Sequence, residues 1–393
     1  MEIYFIILSL IALNGLLFGK KRKWFVISSF LILIVVAALR SSQVGVDLQL
    51  HYIPNYEKIA NISWGQVGSY FVGRGQYDIG FVYLCKLLSV CSDDGQFFIV
   101  ATSIFIFASF ALFIYRYSSD VVLDTILLLT SFSFFQHMCI IAQSLAVAIV
   151  LYGIESLKEK KYVKYVAIVF VASLIHSSAI ICFVFILLQK MELKRKNIFI
   201  YISAITAALF GYQTLVPIMV NRFFPAFSFY IGQEKHGMAT GLGPTGRYYL
   251  ALYAFCTALG LICLYLGMRK EAEYSTCIET KRKKIVIGSF SIKLNTTKAY
   301  EKFSLVFLIY TAISAFFFYA ASLQMEISRR FMYYFTPFAF LLVGQALKNM
   351  KNRKMAQILK YTFYIFTIGC FFLLGENMAR SGPQVVPYNF FWK

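Results

Sequence analysis

Apolar runs separated by short basic clusters repeat along almost the whole chain. They lie near residues 3–18, 24–39, 97–115, 120–136, 139–157, 197–213, 247–268, 303–321, 331–347 and 361–375. Each approaches the ~20 residues that a helix needs to cross ~30 Å of hydrocarbon. A further apolar stretch runs from Tyr162 to Lys190 and is interrupted by His176-Ser177-Ser178. Lys158, Lys160, Lys161 and Lys164 bracket it on one side, and Lys190, Lys194, Arg195 and Lys196 on the other. If both clusters lie on one side of the membrane, the chain between them has to enter and return. Two half-crossings with a polar turn at His176 satisfy that condition, and one long helix does not. The pattern predicts an all-α polytopic membrane protein, a single integral membrane domain over 1–393. About 11–12 transmembrane helices, one broken helical hairpin and two long extracytoplasmic loops are expected.

The distribution of positive charge predicts orientation. With the N-terminus outside, cytoplasmic segments fall near 19–23, 116–120, 158–164, 190–196, 269–302 and 348–360, and hold 27 of the 38 Lys and Arg. The 18 acidic residues divide evenly between the two sides, so nearly all of the net charge of +20 belongs to the cytoplasmic face. That asymmetry accounts for the basic composition without any nucleic acid. Positive charge follows the first apolar run at Lys20–Lys23 instead of preceding it, which suits a retained span and not a cleaved signal. The first outer loop, 40–96, contains an apolar-rich stretch near 77–91 that suits a helix lying at the interface. The second outer loop is 214–247, and the large loop 269–302 is basic and cytoplasmic.

Composition agrees and excludes other classes. Of 393 residues, 59% are hydrophobic and 14% charged, which rules out a soluble globular enzyme and a disordered or collagen-like chain. The 41 Phe and 27 Tyr suit lipid-facing and interfacial positions. The eight Cys form no C-x-x-C pair and no zinc spacing, so neither a disulfide framework nor a metal or cofactor site is expected.

Candidate chemistry collects on the outer side. All four His (His51, His137, His176, His236) fall there or at its edge. Arg outnumbers Lys seven to four outside, whereas Lys prevails inside. The topology rule is met by either residue, so it does not explain the outer Arg excess. A planar guanidinium that binds phosphate or carboxylate bidentately does, and snorkelling towards lipid headgroups is the competing explanation. Arg40, Arg247, Arg329 and Arg330 all sit at span ends, the last two beside Tyr333 and Tyr334. Asp47, with Gly45 allowing a tight turn, and Asp78, after Gly73-Arg74, are either acid–base groups or helix caps. His176 is an ionisable residue at a helix break, which suggests function, although Ser177 and Ser178 offer it local partners. Gln143 is either a substrate contact or an interhelical hydrogen bond. Gly241-Leu-Gly-Pro-Thr-Gly246 matches G-x-G-x-x-G with no preceding strand, and reads as a loop turn before Arg247.

Taken in order, Arg40…Gly45-x-Asp47…Tyr52, Asp78-Ile-Gly80-Phe81, Gln143-Ser-Leu-Ala-Val-Ala, the basic-flanked hairpin with Leu174-Ile-His176-Ser-Ser-Ala, and Arg329-Arg330-Phe-x-Tyr333 resemble the EpsG/Wzy-like bacterial polysaccharide polymerases. The resemblance covers roughly residues 25–345, and members often have Arg where Ala142 stands here. It implies a GT-C-like membrane glycosyltransferase of the O-antigen, capsule or exopolysaccharide kind, in the bacterial cytoplasmic membrane with its site facing outward. The substrate implied is an undecaprenyl-pyrophosphate-linked oligosaccharide, without nucleotide sugar, metal or cofactor. Membrane lipids, a chain-length regulator and a flippase are the partners implied. Under it, Arg40, Arg247 and Arg329 or Arg330 clamp the leaving pyrophosphate, and Gln143 and Tyr333 contact substrate. His176 either deprotonates the acceptor hydroxyl or hydrogen-bonds the phosphate, and Asp47 and Asp78 are rival bases. A flippase of the same lipid-linked unit and an acyltransferase of envelope sugars are the alternatives. The flippase should show repeated halves, which are not evident.

Overall fold

The computed structural model describes residues 1–72, 77–192, 194, 196–204, 206–207, 218, 222, 244–278, 303–322, 327–381 and 383–392. Arg74, His236, Gly241 and Gly243, and the part of the basic loop after Ile278, lie outside the described residues. The chain builds α1 (Glu2–Phe18), α2 (Arg22–Ala38), a π-helical turn (Leu48–Tyr52), α3 (Ile53–Asn61), α4 (Trp64–Val72) and α5 (Ile79–Ser89). There follow α6 (Gly95–Tyr117), α7 (Val121–Thr130), α8 (Ser133–Cys139), α9 (Ile141–Lys158), α10 (Tyr162–Ile175), a 3₁₀ segment (Ser177–Phe183) and α11 (Val184–Lys190). After these come α12 (Pro244–Ile278), α13 (Leu305–Ser322), α14 (Ile327–Asn349) and α15 (Arg353–Ser381). Residues 196–204 are also helical. Among the described residues there is no strand, only an isolated antiparallel bridge between Arg40 and Phe390.

The expected all-α polytopic membrane architecture is what the chain adopts. By length and hydropathy, five helices among the described residues suffice to cross a membrane: Gly95–Tyr117, Ile141–Lys158, Gly246–Cys263, Leu305–Ser322 and Arg353–Arg380. The bent pair α7–α8 makes up to six. The ~11–12 expected from apolar runs refer to the whole chain, whereas these five or six are counted among the described residues, which omit part of the expected span at 197–213. The difference is partly one of length: α1 and α2 have 17 residues each, or about 25 Å at 1.5 Å per residue.

Helix ends are closed by side chains from other elements. Arg22 donates to the carbonyls of Tyr115 (2.6 Å), Ile114 (2.9 Å) and Ser118 (3.0 Å), satisfying the C-terminal turn of α6. Asp120 accepts from the Leu123 N–H at 3.1 Å to cap α7, and its other oxygen pairs with Lys360 of α15. The interior between α6, α11, α13 and α14 is an aromatic interlock, with Phe113 on Phe338 (5.2 Å) and Phe185 on Phe335 (5.1 Å), both edge to face.

Two breaks interrupt the helices. One was legible in the sequence: the backbone leaves the α-helix at His176 and turns back. Tyr165 Oη donates to the Cys182 carbonyl at 3.0 Å, and Lys190 Nζ lies 4.7 Å from the Tyr162 ring centroid. The two arms therefore run side by side as a hairpin. The other break was not anticipated, because 120–136 reads as one span. Phe132 takes a left-handed conformation (φ 60°) and bends α7 from α8 by 60°. Ser131 and Ser133, with hydroxyls 3.0 Å apart, serve polar groups at the bend.

Replacing Arg22 with Ala should lower stability by about 1–3 kcal/mol, since three carbonyls lose one donor group. Replacement with Lys, which keeps the charge and loses the fork, should cost less. Thermal unfolding of the purified protein in detergent measures both.

Candidate functional site

One end of the bundle gathers polar residues from four parts of the chain: the turn after α2, the start of α5, the hairpin tip, and the first turns of α14. The turn begins at Gly45, whose φ of 116° suits glycine. It delivers Asp47 onto α8, where the Cys139 thiol donates to the Asp47 carboxylate. Tyr52 follows on the π-helical turn, and its Oη accepts the Ala142 N–H at 3.1 Å, closing one of the open donors at the start of α9. The Tyr52 ring packs against Tyr77 (5.8 Å) and Phe81 (5.6 Å), which ties this turn to α5.

Asp78 precedes α5 and meets the hairpin. Its Oδ2 accepts the Ser177 N–H at 2.8 Å, so the carboxylate satisfies a backbone donor freed by the break at His176. This approach requires Gly80. A Cβ built there would lie 2.6 Å from the Leu174 carbonyl oxygen and 2.7 Å from its carbon. Across the break, His176 Nδ1 lies 2.6 Å from Ser178 Oγ, and Ser178 Oγ lies 3.1 Å from Tyr334 Oη. A hydrogen-bonded chain therefore runs from the hairpin tip into α14.

Arg330 is the centre of this arrangement. It lies within electrostatic reach of Asp47, Asp78, His176 and Tyr334. Its carbonyl is held by Gln143 Nε2 from α9. Burial pushes the Asp47 carboxyl up, opposed by His51, the Cys139 thiol and Arg330. Burial likewise raises Asp78, opposed by the Ser177 hydrogen bonds and Arg330. Both acids are therefore less acidic than free carboxyls, a property suited to proton transfer.

The remaining candidates sit elsewhere or in other roles. Arg40 does not present a guanidinium to a ligand. It is 1% exposed, and donates to the Ala37 carbonyl, to Ser103 Oγ (3.0 Å) and to the Met138 carbonyl (2.8 Å). It is a strut between α2, α6 and α8. Tyr333 is buried, with its ring edge-on to His137 at 5.9 Å. Arg329 is half-buried beside Arg330, about 100° away around the helix. Arg247 is exposed in the first turn of α12, and no contact among the described residues joins it to Arg330. His137 is buried against Ser144 Oγ (2.9 Å) and the Phe110 ring, a structural histidine. Among the described residues, no three His, Cys, Asp or Glu converge closely enough to hold a metal ion.

Sequence reasoning missed Cys139, Ser178 and Tyr334. Cys139, in an apolar run without metal or disulfide spacing, gave no sign of a role, and Ser178 read only as a local partner of His176. Tyr334 had a signal: it follows Tyr333, and helical phase points only one of the two at the hairpin.

Gly80 offers a test of this packing. Gly80→Ala should force α5 away from α10 and cost about 1–3 kcal/mol. Gly65→Ala, where a Cβ meets nothing within 4 Å, should leave the melting temperature unchanged.

Comparison with known proteins follows the same outline. No curated protein and no solved structure matches the chain. A family model described as the EpsG family matches residues 23–390. That match runs from α2 to the segment beyond α15 and includes each residue grouped around Arg330, so the chain belongs to the EpsG family.

Proposed function

We propose that this EpsG-family chain is a polysaccharide polymerase that joins undecaprenyl-pyrophosphate-linked oligosaccharide repeat units on the outer face of the bacterial cytoplasmic membrane. Family membership supports a glycosyltransferase-like polymerase in general terms. The observation that carries the specific reading is the placement of Arg330 among two burial-raised carboxyls and His176 at the tip of a broken hairpin.

In this reading Arg330, with Arg329, holds the pyrophosphate of the donor. The acceptor hydroxyl oxygen bonds to the donor sugar C1 as the C1–O bond to phosphate breaks. Negative charge grows on the departing undecaprenyl pyrophosphate, and the guanidinium stabilises it in the transition state. The hydroxyl proton passes to Asp47 or Asp78. His176, engaged at Nδ1 by Ser178, has Nε2 left for the phosphate or the hydroxyl. Gln143 positions Arg330 through its carbonyl. Arg40 supports the turn that carries Asp47, and exposed Arg247 is assigned to the approaching substrate. A flippase and a chain-length regulator are the partners such a polymerase requires.

A deletion strain tests the function. The surface polysaccharide should collapse to a single repeat unit and recover with the wild-type gene. Full-length chains lacking only a decoration would sink the polymerase reading, and precursors trapped inside would favour a flippase. His176→Ala should abolish chain growth at unchanged protein level. If Asp78 is the base, the acidic limb of its pH–rate profile lies above the ordinary carboxylate value of about 3.9, because burial raises it. Activity then falls as pH drops through that raised pKa. Asp78→Asn removes activity together with the limb, whereas Asp47→Asn retains both. The opposite pattern assigns the base to Asp47.

A further inference from the structure

We propose that the segment following α15, residues 383–392, is a positioning element for the site, holding the turn that carries Asp47. The proposal rests on the reading of Asp47 as a site residue, but its physical basis is independent of the reaction.

After Ser381 the chain returns along the end of the bundle and lies against residues 39–46. Four main-chain hydrogen bonds join the two. Phe391 N–H donates to the Leu39 carbonyl (3.1 Å), and Ser41 N–H to the Asn389 carbonyl (2.8 Å), flanking the bridge between Arg40 and Phe390. Gly45 N–H donates to the Gln384 carbonyl (3.0 Å), and Val46 N–H to the Pro383 carbonyl (3.1 Å). These last two immediately precede Asp47, at the glycine whose φ of 116° sets the direction of the turn. Residues 39–45 form no helix, and Val46 opens a helical turn in which its N–H has no intrahelical acceptor, so the returning segment supplies the acceptors.

The segment is itself anchored. Val385 N–H donates to the Ala379 carbonyl (2.9 Å), and Tyr4 Oη of α1 donates to the Val385 carbonyl (3.0 Å). Tyr388 Oη donates to the Val36 carbonyl (2.8 Å). Val385 is fully buried and Val386 nearly so. The turn is thus pinned through this segment to α1, α2 and α15, and Asp47 meets Cys139 because the turn is held down. If the segment were removed, the donors of Ser41, Gly45 and Val46 would seek water, and the turn would lift from α8.

Cys139 reports that movement. It is 3% exposed and faces Asp47, while Cys85, Cys182, Cys256 and Cys263 are buried elsewhere. The test uses full-length protein in lipid nanodiscs with Cys91, Cys277 and Cys370 changed to Ser, which leaves five cysteines, a maleimide probe, and peptide mapping. Truncation after Ser381 should raise Cys139 labelling by roughly tenfold or more while the other four stay protected, as expected of a local opening. The double variant Tyr4→Phe/Tyr388→Phe, which loosens the anchors without removing the segment, should give an intermediate rate. Chain growth should fall in the same order. Unchanged Cys139 labelling would overturn the proposal. So would simultaneous labelling of all five cysteines, which marks general loss of fold. If the wild type itself extends no lipid-linked chain, the polymerase reading fails, yet the labelling still decides whether the segment holds the turn.

Discussion

Backbone polar groups freed inside an apolar bundle must find partners within the protein, and this constraint organises the whole cluster around Arg330. The chain leaves regular helix at four places near that end: the turn after α2, the bend at Phe132, the step at Ile140 between α8 and α9, and the hairpin tip at His176. Each exposes N–H or C=O groups that lipid cannot satisfy. Asp78 serves the hairpin, Tyr52 the start of α9, and Arg40 the carbonyls of Ala37 and Met138. Gln143 serves the carbonyl of Arg330, and the segment at 383–392 serves the turn before Asp47. Elements far apart in the chain are brought together because each holds what another lacks.

The same constraint separates residues that build the site from residues left to act in it. Arg40 spends its guanidinium on protein acceptors and is buried, so its charge organises helices. Asp47, His176 and Arg330 come from separate elements and converge electrostatically. Two carboxyls whose pKa burial raises, next to a cation, form an arrangement that is costly to maintain unless a ligand or a reaction uses it. Asp78 belongs to both groups, capping the hairpin while facing Arg330.

The hairpin was legible because two basic clusters bracket a run of the wrong length for one crossing, with His-Ser-Ser in its middle. The bend at Phe132 was not. Apolar residues resume on both sides of Thr130-Ser131-Phe132-Ser133, with no Gly or Pro to mark a break, and the left-handed conformation falls on a Phe. Arg40 illustrates a different limit. Position at a span end suggests a phosphate contact, but only the packing of α2 against α6 and α8 decides whether the guanidinium faces a ligand or a carbonyl. Tyr333 and Tyr334 are indistinguishable as neighbours in sequence, and one turns to His137 while the other reaches Ser178.

By itself the sequence determined the membrane character, the all-helical class, the broken hairpin and the set of polar residues from which a site had to be drawn. Those properties follow from local hydrophobicity and charge, which act over a few helical turns and are written directly in residue order. Which of those polar residues face a substrate, and which serve the backbone, was decided only by tertiary structure. The competition between a carbonyl and a ligand for one guanidinium, or between a cap and a base for one carboxylate, is settled by distances of about 3 Å between elements. In this chain such elements lie as many as 381 residues apart, as Tyr4 and Val385 do, and no local pattern encodes that separation.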